Sequence, residues 1–85
     1  MNNINSHAVV AVVDDDKSIL EFLKGLLEDF NFKVLTFSDG LEALSYCQNE
    51  PLDLVVTDFR MPKISGLQLL SAIHEYDADL PVILV

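Results

Sequence analysis

The feature that most constrains this chain is "AVVAVV", Ala8 to Val13, an unbroken apolar run that stops abruptly at Asp14, Asp15 and Asp16. A strand with one wet face alternates apolar and polar residues, whereas a strand covered on both faces reads as a continuous apolar run. Covering both faces of a strand takes a layer on each side of the sheet, and helices are one way to supply those layers.

The following residues supply such helices. In "DDDKSILEFLKGLLEDF" the residues Ile19, Phe22, Leu23, Leu26, Leu27 and Phe30 recur at spacings of three and four, one face of an amphipathic helix. Asp16 is placed to cap its start and Asn31 to stop it. "KVLTF", Lys33 to Phe37, alternates more than the first strand, as an edge strand does. Phe22, Phe30, Phe32 and Phe37 are expected in the core or at its edge.

Ser38, Asp39 and Gly40 are turn residues leading into a short helix over 41–48, which Asn49, Glu50 and Pro51 end. "LDLVVT", Leu52 to Thr57, reads as a third strand. A loop with Pro62 and Gly66 leads to a third helix, "GLQLLSAIHEY", with Leu67, Leu70, Ile73 and His74 on one face. "LPVILV", Leu80 to Val85, reads as a fourth strand. The order is β-α-β-α-β-α-β. Connections of this length imply parallel pairing with right-handed crossovers, hence an open, doubly wound α/β sheet. Residues 1–7 form a polar tail and 8–85 a single domain.

Charge and composition narrow the function. Fourteen acidic residues against five basic ones give a net charge of -9, which leaves no basic patch for direct nucleic-acid binding and suits a site that holds a cation. The one cysteine, Cys47, excludes an intramolecular disulfide and a cysteine-based zinc cage, and its apolar helical context marks it as a half-buried packing thiol. The first residues lack the basic and apolar regions of a signal peptide, and no apolar run is long enough to span a bilayer. The chain therefore reads as cytoplasmic, with no membrane partner. His7 belongs to the solvated tail and His74 to the solvent edge of its helix. Tyr46 and Tyr76 read as packing rings with wet hydroxyls.

In open parallel sheets the working site lies beyond the carboxyl ends of the strands, where the winding reverses. Asp14 and Asp15 end the first strand and Asp58 ends the third. If those strands are neighbours, the carboxylates share one crevice. Such a group repels itself and needs a cation or a raised pKa. Hard oxygen donors without a His or Cys cage favour Mg²⁺, or Mn²⁺, over zinc. A carboxylate beside such an ion can attack phosphorus and become an acyl phosphate.

"VVDDD" at the first strand end and "DFRMPKISG" after the third resemble the receiver domain of bacterial two-component response regulators, over nearly the whole chain. The resemblance implies a flavodoxin-like sheet in the order 2-1-3-4, the family's fifth strand being absent. It makes Asp58 the phosphoacceptor and Asp14 and Asp15 the acidic pair for Mg²⁺, Asp15 directly and Asp14 largely through water. Arg60 would lend its backbone carbonyl to the metal. Pro62 and Gly66 would shape the loop, Met61 would pack, and Asp16 would cap the helix. The implied partners are a sensor histidine kinase or phosphotransfer protein and a downstream output domain. The chain itself would be no enzyme beyond assisting its own phosphorylation and dephosphorylation.

The family pattern also has a Thr or Ser after the fourth strand and a Lys after the fifth. The sequence stops at Val85, before either, and neither Lys17 nor Lys63 stands in that lysine's place. The chain is accordingly expected to be a piece of a longer receiver. Its apolar "VILV" edge leaves dimerisation or strand exchange open. Two alternatives remain beside the signalling reading. One is a receiver-like interaction module that is never phosphorylated. The other is a Mg²⁺-dependent aspartyl-phosphate phosphatase, which wants a second aspartate two residues after the nucleophile, where this chain has Arg60. A nucleotide-binding enzyme is more distant, because no glycine-rich loop follows the first strand.

Overall fold

The computed structural model describes residues 7–85. Apart from His7, which is exposed, the expected N-terminal tail lies outside the described residues. The elements follow the expected order: β1 (Val9–Val13), α1 (Lys17–Asp29), β2 (Lys33–Phe37), α2 (Gly40–Asn49), β3 (Leu54–Thr57), α3 (Gly66–Tyr76) and β4 (Val82–Leu84). All neighbouring strands are parallel, in the order β2-β1-β3-β4.

β1 sits inside the sheet, and Val10, Ala11 and Val13 are fully buried, as an unbroken apolar run requires. Its alternate side chains feed two cores. Ala11 and Val13 join Val55 from β3, Ala43 from α2 and Leu69 and Ile73 from α3. Val10 and Val12 join Val34 from β2 and Leu20 from α1. Helices α2 and α3 therefore cover one face and α1 the other.

The helix ends obey local chemistry. The Asp16 side chain accepts the Ser18 N–H at 2.9 Å and caps α1. Asn31 takes φ 69°, while its N–H donates to the Glu28 carbonyl and the Phe32 N–H to the Leu27 carbonyl. This is a Schellman closure with Asn in the left-handed position, and Phe32 and Leu27 pack in the same core. Ser65 and Gln68 form a reciprocal capping box at α3, through Ser65 Oγ at 3.1 Å and Gln68 Oε1 at 2.9 Å.

Two helical faces differ from expectation. On α1 the inward line is Leu20, Leu23 and Leu27. Phe22 and Phe30 are each 67% exposed, and Ile19 and Leu26 are exposed too. A spacing of three and four admits several apolar lines on one helix; here α1 rests on β1 and β2, and only one line reaches the sheet. On α3 the inward line is Gly66, Leu69 and Ile73, while Leu67 faces solvent. His74 is half-buried, with Nε2 2.8 Å from the Leu80 carbonyl oxygen, so it ties α3 to the approach to β4.

β3 and β4 are shorter than the apolar runs that announce them. The Asp53 side chain accepts the Val9 N–H at 2.7 Å and its own N–H donates to the Val9 carbonyl, which closes the start of β1. Leu80 is buried in the core but belongs to the turn after α3, and Pro81 has no N–H to give a ladder.

Candidate functional site

The strand register builds the site. Val13 stands opposite Phe37 on one side and Thr57 on the other, and Thr57 stands opposite Leu84. The residues after β1 and β3 therefore emerge at one level, at the point where the winding of the sheet reverses. The Asp58 N–H donates to the Val13 carbonyl at 2.9 Å and the Asp14 N–H to the Phe37 carbonyl at 3.0 Å. Asp14, Asp15 and Asp58 each offer a carboxylate oxygen within 4.8 Å of the other two. The three predicted acidic residues thus converge.

Their surroundings differ. Asp14 is 4% exposed, Asp58 is half-buried and Asp15 faces solvent. Burial, first of all, pushes the Asp14 carboxyl above the ordinary aspartate range. The Asp16 N–H, which donates to Asp14 Oδ1 at 2.9 Å, opposes this, while the charges of Asp58, Asp15 and Asp16 add to it. Asp58 Oδ1 accepts the N–H of Phe59 at 2.9 Å, and Oδ2 has no protein hydrogen bond among the described residues.

The loop after β3 turns back onto the sheet through local backbone bonds. Met61 packs half-buried against the core. The Pro62 carbonyl accepts the Ile64 N–H at 2.7 Å, and the Gly66 N–H donates to the Phe59 carbonyl at 2.9 Å. Gly66 lies directly on the Asp58 carbonyl, where a Cβ would collide with backbone. Arg60 is exposed at the mouth beside Phe59, itself 46% exposed. Neither lysine near the site enters the acidic group. Lys17 lines a groove against the end of β2, and Lys63 pairs with Asp39.

Thr57, the last residue of β3, also belongs to the site. It is fully buried beneath the site, and its Oγ1 donates to the Asp58 carbonyl at 3.1 Å and lies 3.9 Å from Met61 Sδ. Its only signal is a hydroxyl at the last position of an apolar strand.

The donor set fits a hard divalent cation: oxygen ligands only, one of them buried and, among the described residues, paired with no basic side chain.

Comparison with known proteins agrees with this geometry. The family model of the response regulator receiver domain matches residues 10–85. The C4-dicarboxylate transport transcriptional regulatory protein DctD of Pseudomonas aeruginosa is 42% identical over 77 residues, covering 89% of this chain and 16% of that protein. The sensor histidine kinase GacS of Pseudomonas protegens is 40% identical over 70 residues, covering 82% of this chain and 8% of that protein. The response regulator TrrA of Thermotoga maritima, solved in complex with Mg²⁺ and BeF, superposes with a TM-score of 0.88 at 36% identity, covering 91% of this chain and 67% of that one.

The chain belongs to the receiver-domain family of two-component response regulators. It spans a small part of the length of the curated relatives it matches.

Proposed function

We propose that this receiver accepts a phosphoryl group on Asp58 in a Mg²⁺-dependent transfer from a histidine kinase or phosphotransfer protein, and that phosphorylation switches an output. The observation that carries the reading is the convergence of Asp14, Asp15 and Asp58 within 4.8 Å at the sheet's switch point.

Asp15 and Asp58, with the Arg60 backbone carbonyl, would hold the ion, and Asp14 would act largely through its bound water. When bound, the ion supplies charge neutralisation between the acceptor carboxylate and the incoming phosphoryl group. The chain's own residues do the rest. The Phe59 N–H holds Oδ1 of Asp58, so Oδ2 is presented as the attacking oxygen. A new O–P bond forms there, the bond between phosphorus and the donor breaks, and the donor keeps that electron pair. Thr57 and Gly66, both on the Asp58 carbonyl, hold the acceptor's backbone still. Arg60 stands two residues after the acceptor, so the position from which an aspartyl-phosphate phosphatase delivers a proton carries no acid here.

The test is intact-protein mass after incubation with a small-molecule phosphodonor, with and without Mg²⁺. The expected result is one added phosphoryl group only with Mg²⁺, and none in Asp58→Asn. An unmodified chain under both conditions favours the interaction-module reading. A segment similar to this chain also occurs within a kinase chain, that of the sensor histidine kinase GacS.

A further inference from the structure

The loop that follows the acceptor is fastened to the start of α2 in a way that the phosphoacceptor reading does not use. Lys63 Nζ lies 3.0 Å from Asp39 Oδ2, the one salt bridge among the described residues. Lys63 adopts φ 69°, a left-handed conformation that a residue with a side chain takes at a cost, so something must hold it there. Next to it, Ile64 packs so closely on Gly40 that a Cβ at that glycine would stand 2.6 Å from Ile64 Cγ2, with Met61 Cε also against it. Asp39 faces both ways. Its Oδ1 caps α2 through the Leu41 N–H at 2.8 Å, while Oδ2 takes the lysine. The cap first, and Lys63 second, hold the Asp39 carboxyl below the usual carboxylate range.

We propose that Asp39 and Lys63 form an electrostatic latch that sets the 59–65 loop against the N-terminus of α2, making both of them positioning residues for the acceptor site. The inference rests on the phosphoacceptor reading, because that loop carries the Arg60 carbonyl and ends on the Asp58 backbone at Gly66. The Lys63 side chain is 63% exposed, and an exposed ion pair adds little to the stability of a whole fold. Its effect is therefore local. Opening the latch frees the left-handed turn and lets the loop drift from the metal position.

The experiment compares the wild-type chain with Asp39→Asn, which keeps a capping acceptor for Leu41, with Lys63→Gln, with the double variant and with Lys63→Arg. Two quantities are read: amide hydrogen exchange at Ile64 and Gly66 without metal, and the Mg²⁺ dissociation constant by calorimetry. Each single variant should speed exchange and weaken Mg²⁺ binding by about two- to fivefold. The double variant should add nothing further, and Lys63→Arg should restore both. At about 1 M salt the gap between wild type and Lys63→Gln should close, which a purely steric role would not do. Unchanged exchange and affinity in both single variants, beside a wild type that binds Mg²⁺, overturn the latch alone. A wild type that binds no Mg²⁺ overturns the phosphoacceptor reading and the positioning role with it.

Discussion

Asp58 is held beside Asp14 by the sheet itself: its N–H donates to the carbonyl of Val13, the residue that precedes Asp14, at 2.9 Å. Two carboxylates 44 residues apart in the chain (58 − 14) are thereby placed in one ligand set with Asp15, their oxygens within 4.8 Å. The arrangement is electrostatically costly until a cation arrives.

That cost has a sign in pH. The folded-state pKa of Asp14 lies above its unfolded value, chiefly through burial. The folded chain therefore binds more protons than the unfolded one as pH rises from the ordinary aspartate value through the raised one, and stability falls across that window. Without metal, Asp14→Asn should raise the thermal midpoint at pH 7 and flatten this fall. Calorimetric or circular-dichroism melting between pH 3 and 7 checks it; a lower midpoint for the variant at pH 7 would count against the account.

Tyr76 gives an alkaline counterpart. Burial, and then the facing Cys47, push its hydroxyl up to about 12. With the folded pKa above the unfolded one, stability should decline as pH climbs from about 10 through that value. Ultraviolet titration should show a late tyrosinate component that Tyr76→Phe removes.

Two glycines predict opposite outcomes. Gly66→Ala drives a Cβ into the Asp58 carbonyl and should cost about 1–3 kcal/mol in denaturant unfolding, with loss of Mg²⁺ affinity. Gly25, in the middle of α1, has nothing within 4 Å of its Cβ direction. Gly25→Ala should stabilise by about 0.5–1 kcal/mol through helix propensity, with metal binding unchanged.

The inward line of α1 is testable in the same way. Leu20→Ala, at a residue 7% exposed, should cost about 2–4 kcal/mol, whereas Phe22→Gln, at a residue 67% exposed, should fall within about 0.5 kcal/mol of wild type. Comparable losses at both positions would restore Phe22 to the core.

Much of this is legible in the sequence alone. The unbroken Ala8–Val13 run requires a strand covered on both faces, and the aspartates at two strand ends meet once β1 and β3 are neighbours. What escaped the sequence depends on contacts between distant segments. Periodicity marks α1 as amphipathic but does not say which apolar line meets the sheet, since Leu20–Leu23–Leu27 and Ile19–Phe22–Leu26–Phe30 both satisfy helical spacing. Thr57, His74 and the Asp39–Lys63 pair act through partners that only the folded chain brings near. On the α1 side of the sheet, Ile83 is 48% exposed, an apolar residue whose burial no sequence pattern could settle.

The measurement that tests the central claim most directly is a Mg²⁺ titration of this chain by calorimetry, repeated on Asp14→Asn, Asp15→Asn and Asp58→Asn, with Asp53→Asn as a control outside the cluster. One bound ion per wild-type chain is expected, with affinity reduced about tenfold or more in each cluster variant and unchanged in the control. Binding that survives removal of Asp15 and Asp58, or that Asp53→Asn weakens equally, would contradict a site built from the three converging aspartates.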